Sequence, residues 1–135
     1  MRNKTRGCFF SLLLIFVSAC APSLTEIQRL SDSEAMLDAV IAERETDATV
    51  DTPTELYVVS HAAAVSGEPV LRMDKVDSLR VTWESDRNLT AHAETARVFL
   101  YVRELALKDA RGNSRTISIR LNIKNLLLPK APPNA

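Results

Sequence analysis

The stretch RTISIRLNIKNLLL, residues 115–128, contains the most regular pattern in this 135-residue chain. From position 117 to position 124, apolar and polar residues alternate without exception. The apolar members are Ile117, Ile119, Leu121 and Ile123, and the polar members are Ser118, Arg120, Asn122 and Lys124. Successive side chains of a β-strand point to opposite faces of its sheet. The stretch therefore predicts a strand with one face against the core and the other in water.

A second strand-like run, residues 95–107, precedes this stretch, and the polar segment 108–114 separates the two. The segment contains Gly112-Asn113, a pair that tolerates positive φ and therefore suits a tight turn. We expect the two runs to pair as an antiparallel hairpin.

Two shorter segments further upstream also predict strands. Residues 55–60, ELYVVS, are rich in β-branched and aromatic side chains, and Leu79, Val81 and Trp83 alternate with polar residues. Several strands joined by short polar turns indicate a mainly β fold. We expect either a small antiparallel β-sandwich or one strongly bent sheet.

The segment in front of these strands predicts less regular structure. Leu24, Ile27 and Leu30 have helical spacing, so a short helical or irregular tether is expected there. Residues 36–44 fit two structures. The capping pattern that begins at Ser31 and the good helix formers after it favour a helix, whereas alternation along the same residues fits a strand.

Residues 1–19 have the three regions of an export signal. The cations Arg2, Lys4 and Arg6 are followed by an apolar run over 8–17 and then by small residues. This run is about half as long as the ~20 apolar residues that a membrane-spanning helix needs. We therefore expect a cleaved signal peptide.

Residues 17–20, VSAC, resemble the lipobox of bacterial lipoproteins. In that family the cysteine thiol receives a diacylglycerol, the signal is cut just before it, and the new amine is acylated. The resemblance implies lipidation of Cys20, and several acyl chains hold a protein to a bilayer far more firmly than one. Ala21, in place of the aspartate that retains enterobacterial lipoproteins at the inner membrane, implies the outer membrane, facing the periplasm. The alternative is a secreted protein with a free cysteine.

Removal of the signal leaves 116 residues, the size of one small domain. This part carries 14 Lys and Arg against 17 Asp and Glu, and the mild acidic excess argues against a nucleic-acid partner. Cys8 leaves with the signal and Cys20 carries the lipid. Neither a disulfide nor a thiolate metal site is therefore expected.

No motif in the chain predicts catalysis, a metal or a cofactor. His61 and His92 lack the close spacing of a zinc-binding pair, and the neighbours Ser60 and His61 would point to opposite faces of a strand. Gly67 and Gly112 are the only glycines after the signal, which excludes glycine-rich phosphate loops and the nucleophile elbow. The many carboxylates are expected at solvated turns, although a glycosidase pair has no fixed spacing in sequence.

One face of residues 97–103 predicts a binding surface. Its odd positions are Arg97, Phe99, Tyr101 and Arg103, and its even positions are apolar. If the even side chains face the core, two aromatic rings flanked by cations form a platform for a peptide, a glycan or a lipid phosphate. The alternative is a central strand that is buried on both faces, with the arginines emerging at its ends.

The final strand offers a second route to binding. If residues 116–127 lie at a sheet edge, the strand can accept a strand from a partner. Arg120 and Lys124 are alternatively the charges that prevent such pairing.

Two segments resemble a loose group of short, uncharacterised proteobacterial lipoproteins. The segments are DSEAMLDAVIAERETDATVDTPTELYVV and EPVLRMDKVDSLRVTWESDRNLTAHAETARVF, together spanning about residues 31–100. The group has a serine-aspartate turn, a strand similar to residues 37–43, an Ala-Thr stretch, a strand similar to 56–59, and an L-x-V-x-W strand similar to 79–83. The resemblance favours a strand over 36–44 and implies no function.

These features together predict a lipid-anchored envelope protein with a non-enzymatic binding or scaffolding role. The expected organisation is a signal peptide over 1–19, a lipidated tether over 20–34, a β domain over 35–128 and a disordered Pro-rich tail over 129–135. The expected partners are the membrane, through the lipid on Cys20, and an envelope protein or glycan. Two alternatives are a pilotin-like accessory lipoprotein of a secretion or conjugation machine, and a cell-wall hydrolase inhibitor or small hydrolase.

Overall fold

The computed structural model describes residues 23–46 and 49–128, and within them it contains strands and no helix. The strands are β1 (Leu24–Ser31), β2 (Leu37–Arg44), β3 (Thr54–Ser60), β4 (Leu71–Asp77), β5 (Arg80–Trp83), β6 (Asn88–Tyr101), β7 (Glu104–Lys108) and β8 (Ser114–Leu127). They form one open sheet in the order β1-β2-β3-β4-β6-β8-β7, with β5 paired to the first part of β6. Among the strands of the described residues, β6 and β8 form the one parallel pair. The predicted mainly β, mostly antiparallel fold is confirmed.

A sharp bend in β6 folds this sheet into two facing layers. Arg97 on β6 lies opposite Leu127, near the end of β8. Four residues later, however, the Tyr101 hydroxyl donates to the carbonyl of Ile119 at 2.6 Å, far back along β8. Both contacts are satisfied only if β6 turns back over the sheet after Arg97.

The strand beside β6 bends at the same place. The pairing of β4 with β6 shifts register between Asp74 and Asp77, and Lys75 and Ser78 have φ values of 50° and 56°. Such left-handed residues interrupt a strand and re-aim it. The first layer therefore contains β1 to β4 and the last residues of β6, and the second layer contains β5, the first part of β6, β8 and β7.

The main core lies between the two layers. Strands from both layers contribute the buried apolar residues, which are Leu37, Ala39, Ile41, Leu56, Val58, Val70, Leu71, Met73, Val81, Leu89, Ala91, Ala93, Ala96, Ile117 and Ile119. The predicted alternation along β8 is borne out, because Ile117 and Ile119 are buried while Ser118 and Arg120 are exposed. Burial of the apolar surface of these residues stabilises the fold by about 25 cal/mol per Å².

β2 is the strand whose sequence also fitted a helix. Its odd positions face the main core, whereas Val40 and Ala42 pack on the outer side against Tyr57 and Val59. Ala63 and Val65, in the segment after β3, cover this second cluster. A strand that is buried on both faces loses its clean alternation, which explains the ambiguous pattern.

β1 corrects the expectation of a helical or irregular tether. Leu24–Ser31 is a strand paired with β2, and its register shifts between Glu26 and Gln28, so Ile27 is the extra residue of a β-bulge. A bulge inserts one residue and resets the alternation after it. The three-residue spacing of the apolar side chains comes from this bulge and not from a helix.

The predicted hairpin exists, but with a shorter first strand. The run 95–107 breaks near Val102, and only β7 pairs antiparallel with β8 across the turn that contains Gly112 at φ +81°. The residues before the break belong to β6, which runs parallel to β8. The break is needed because the chain crosses from the first layer to the second at this point.

The predictions for the signal peptide, for Cys20 and for the tail over 129–135 lie outside the described residues. In the described part of the chain, no helix is long and apolar enough to cross a membrane.

Candidate functional site

A β-bulge divides the predicted aromatic platform. Along β4 and β6, Arg72 lies opposite Leu100 and Met73 lies opposite Val98, so Phe99 has no partner on β4. The extra residue reverses the alternation after it. Phe99 therefore stays on the outside with 54% of its surface exposed, while Tyr101 packs against the main core.

The four predicted platform residues accordingly have different surroundings. Arg97 forms an ion pair with the buried Asp74, and its guanidinium lies 5.1 Å from the centre of the Phe99 ring. The hydrogen bond to Asp74 raises the pKa of Arg97. Tyr101 points inward, and Arg103 is exposed beyond the end of β6. Arg97 and Phe99 form a pair, but the four side chains do not share one face.

An apolar groove lies between the end of β6 and the second half of β8. It measures about 320 Å³ and is lined by Val98, Tyr101, Leu121, Ile123 and Leu126. We call this the edge groove. Its walls belong to different layers, so it is an opening at one side of the main core.

One edge of β8 is unpaired along this groove. β7 pairs with β8 only over Ser114–Ser118. At the next residue, the Ile119 N–H donates to the Arg103 carbonyl at 2.8 Å, and the Ile119 carbonyl accepts from the Tyr101 hydroxyl. Among the described residues, no strand pairs with this edge between Arg120 and the end of β8. The N–H groups of alternate residues point the same way, so Leu121 and Ile123 present theirs at this edge.

The two charged residues that could prevent a partner strand from pairing with β8 lie on the outward face of the strand. Arg120 and Lys124 have the opposite side-chain parity to the buried Ile117 and Ile119, both are exposed, and neither lines the edge groove. Lys124 donates to Glu94 of the second layer at 2.7 Å. Because they project away from the groove, these charges leave its apolar walls uninterrupted.

Three ionic clusters surround buried carboxylates on the described part of the chain. In the first, Asp38 accepts hydrogen bonds from Arg29 at 2.9 Å, from Ser31 at 2.7 Å and from the Ala62 N–H at 2.8 Å, and His61 Nδ1 lies 2.8 Å from it. Burial raises the pKa of Asp38, but these hydrogen bonds outweigh it and hold the pKa well below its usual range.

Ser31, His61 and Asp38 are the residue types of a catalytic triad. In a triad, the histidine contacts the acid and the hydroxyl through different ring nitrogens. Here Ser31 Oγ and Asp38 Oδ1 both contact His61 Nδ1, at 3.3 Å and 2.8 Å, and the hydroxyl donates to Asp38. This geometry fixes the loop after β3 and provides no relay of a proton away from the serine.

The second cluster surrounds Glu55, whose side chain is fully buried on the outer side of β3. Arg44 holds it with two hydrogen bonds of 2.8 Å and 3.1 Å, Arg72 donates at 3.1 Å, and Tyr57 donates through its hydroxyl. Burial raises the pKa of Glu55, but the hydrogen bonds exceed this effect and lower it. The two arginines come from neighbouring strands, so the cluster joins β2, β3 and β4.

The third cluster joins three turns through Arg115. Its Nε donates to Asp109 at 2.9 Å, and Nη2 donates to Glu34 at 3.2 Å. Nη1 lies 3.7 Å from Asp32 and 3.8 Å from Asp86. Asp109 also accepts N–H bonds within its own turn, so burial is outweighed and its pKa is lowered. The arrangement clamps the β1–β2, β5–β6 and β7–β8 turns together.

Within residues 23–46 and 49–128, no group of three His, Cys, Asp or Glu side chains is placed to hold a metal ion. His61 belongs to the first layer and His92 to the second. Sequence reasoning named β8 as a strand acceptor but missed the edge groove and the clusters around Asp38 and Glu55. Alternating patterns show which residues face inward, but they do not show which edge remains open.

Comparison of the chain with family models, with curated proteins and with solved structures found no match.

Proposed function

We propose that this protein is a lipid-anchored module of the bacterial envelope that binds an extended segment of a partner protein at the edge groove. The observation that carries the proposal is the unpaired edge of β8 directly beside an apolar groove. A peptide that adds a strand to such an edge gains main-chain hydrogen bonds, and the groove receives its alternate side chains.

The lining of the groove defines the chemistry of the segment. Four of its five walls are aliphatic, and the fifth is the ring of Tyr101, whose hydroxyl already donates to Ile119. A charged side chain would lose its hydration here without gaining a partner. The segment therefore carries apolar residues at every second position on the side that faces the groove.

The anchor in this proposal rests on the lipobox-like residues 17–20 and the export signal before them. β1 begins at Leu24, only four residues after Cys20, so the domain is held close to the bilayer. A module fixed at the membrane reaches only segments that come near that surface. Its partner in this proposal is another envelope protein, and its role is non-enzymatic.

The anchor is tested by expressing the full chain in bacteria with a labelled fatty acid, beside Cys20→Ser. We expect label in the membrane fraction for the natural chain and none in the variant. Recovery of soluble, unlabelled natural chain would refute the anchor and leave a diffusible binding protein.

The binding site is tested with a photoreactive amino acid in place of Leu126, which is 56% exposed in the groove wall. We expect a crosslink to an extended segment of one envelope protein. A peptide of that segment should slow hydrogen exchange at Leu121 and Ile123, because their N–H groups become bonded.

Leu126→Lys should then weaken binding of this peptide at least tenfold. Asn122→Lys is the matched control, because it adds the same charge to the outward face of the same strand. Equal loss in both variants, or protection of amides elsewhere, would show that the partner does not bind at this edge.

A further inference from the structure

Most of the large exposed apolar side chains lie towards one end of the two-layered domain. In the described chain they are Ile27, Val50, Phe99, Leu126 and Leu128, with exposed fractions between 54% and 79%. Single exposed apolar residues are ordinary, but a group of them marks an interaction surface.

The strand registers place Val50, Phe99, Leu126 and Leu128 towards one end, whereas Ile27 lies in the middle of β1. Leu24 at the start of β1 pairs with Arg44 at the end of β2, and Asp74 pairs with Arg97, which pairs with Leu127 near the end of β8. Leu126 and Leu128 flank this last position. Val50 belongs to the loop after β2, and Phe99 is two residues from Arg97. We call this the anchor-proximal end.

The opposite end has a different character. It consists of the turns that Arg115 joins and the loop after β3, and its exposed side chains are polar or small within the described residues. The acids around Arg115 and the exposed Arg87 and Arg111 give it strong hydration. One end of the molecule is therefore apolar and the opposite end is polar.

The anchor enters at the apolar end. The carbonyl of Ser23, the first described residue, accepts a hydrogen bond from the Glu45 N–H there, and only two residues lie between Ser23 and Cys20. Even fully extended, the three residue steps from Cys20 to Ser23 span about 10 to 11 Å. A lipid on Cys20 would therefore hold this end, and not the polar one, against the headgroups.

We propose that the anchor-proximal end is a membrane-docking surface, which inserts Val50 and Leu128 into the interface of the bilayer and leaves the polar end facing away. The proposal rests on the lipid anchor of the proposed function and adds a fixed orientation to it. With two attachments, the acyl chains and the apolar end, the domain cannot rotate freely on its tether.

The charges at this end determine which lipids it needs. Lys124 pairs with Glu94 at 2.7 Å, and Lys75 lies 3.9 Å from Asp51, so neighbouring acids offset the exposed lysines. Docking then depends on apolar burial, and it requires neither anionic lipid nor low salt. The edge groove shares Leu126 with this end, so a bound segment would lie beside the bilayer.

The test uses the full lipidated chain reconstituted in phosphatidylcholine vesicles, with a nitroxide label at Val50→Cys or Leu128→Cys. Cys8 is removed with the signal and the Cys20 thiol is acylated, so the label attaches at the new cysteine. Ala110→Cys, exposed in the β7–β8 turn at the polar end, is the control. We expect at least a threefold higher ratio of oxygen to nickel-chelate accessibility at the two docking positions than at the control.

Equal accessibility at all three positions in membrane-bound protein would overturn the docking surface while leaving the anchor intact. A chain that fails to remain with the vesicles would refute the anchor, and with it the orientation that depends on it. Docking that appears only with anionic vesicles and disappears in 0.5 M salt would also contradict the proposal, because apolar insertion is insensitive to both.

Discussion

At the scale of single residues, one inserted residue decides which aromatic ring is buried. Phe99 and Tyr101 are two positions apart in sequence, so regular alternation would place them on the same face. The bulge at Phe99 separates them, leaving one ring exposed beside Arg97 and the other packed in the main core. No residue type in this run signals a bulge, because the shift is set by the pairing with β4.

This separation predicts unequal costs of truncation. Phe99→Ala should cost less than about 1 kcal/mol, as expected for an exposed side chain. Tyr101→Ala should cost about 2 to 4 kcal/mol, because it removes core packing and the hydrogen bond to Ile119. Urea unfolding measures both values. A larger loss for Phe99→Ala would mean that the platform face is the buried one.

Glu55 predicts a dependence of stability on pH. Its pKa in the folded state is below the ordinary 4.5, so it stabilises the fold above that pH and the contribution is lost as the pH falls. Glu55→Gln should destabilise the protein by about 3 kcal/mol at pH 7, because two arginines lose their buried partner. The difference from the natural chain should shrink at pH 3.5.

Urea unfolding at the two pH values tests this expectation. Glu43→Gln, an exposed acid on β2, is the control and should change nothing measurable at either pH. A penalty for Glu55→Gln that is the same at pH 7 and pH 3.5 would show that the carboxylate charge does not contribute to stability.

At the scale of elements, the turns are held by one side chain as much as by their own residues. Arg115 is the first arginine of the stretch that predicted the strand, yet its guanidinium contacts acids from three separate turns. The alternating pattern of β8 accounts for its backbone and its buried face. The pattern contains no information about Asp32 or Asp86, which lie in the β1–β2 and β5–β6 turns.

Arg115→Met should lower the midpoint of thermal unfolding by more than about 5 °C and speed hydrogen exchange in the β1–β2 and β7–β8 turns. Arg115→Lys should rescue it poorly, because an ammonium cannot reproduce the separate hydrogen bonds to Asp109 and Glu34. Arg111→Met serves as the control, because Arg111 is exposed in the β7–β8 turn. Full rescue by lysine would show that the positive charge alone, and not the separate hydrogen bonds of the guanidinium, stabilises the cluster.

At the scale of the whole molecule, the two layers are one cooperative unit. The core draws on both layers, and the indole N–H of Trp83, on β5, donates to the Leu30 carbonyl on β1 at 2.9 Å. β6 belongs to both layers and joins them through continuous backbone. Neither layer can cover its side of the main core without the other.

Unfolding in urea should therefore be two-state. Fluorescence of Trp83, the only tryptophan in the chain, reports on the second layer, and far-UV circular dichroism reports on all strands. We expect the two transitions to have the same midpoint. Distinct midpoints would show that the layers unfold separately, and Trp83→Phe followed by circular dichroism checks that the probe itself is neutral.

The sequence by itself determined the class of fold and the inward face of the regular strands. Those properties depend on the two-residue period of side chains along a strand, which is a local property of the backbone. The alternation over β8 and the turn at Gly112 were both readable in this way. The lipobox-like residues 17–20 are equally local, and the anchor they imply remains a proposal for experiment.

Only the tertiary structure decided the bulges at Ile27 and Phe99, the bend of β6, the parallel pairing of β6 with β8, and the open edge beside the groove. Each of these depends on which strand lies beside which, and no single strand carries that information in its own side chains. Bulges and bends shift an alternating pattern at points that the partner strand selects. The expected helical tether became β1 for this reason, and the predicted binding face was divided for the same one.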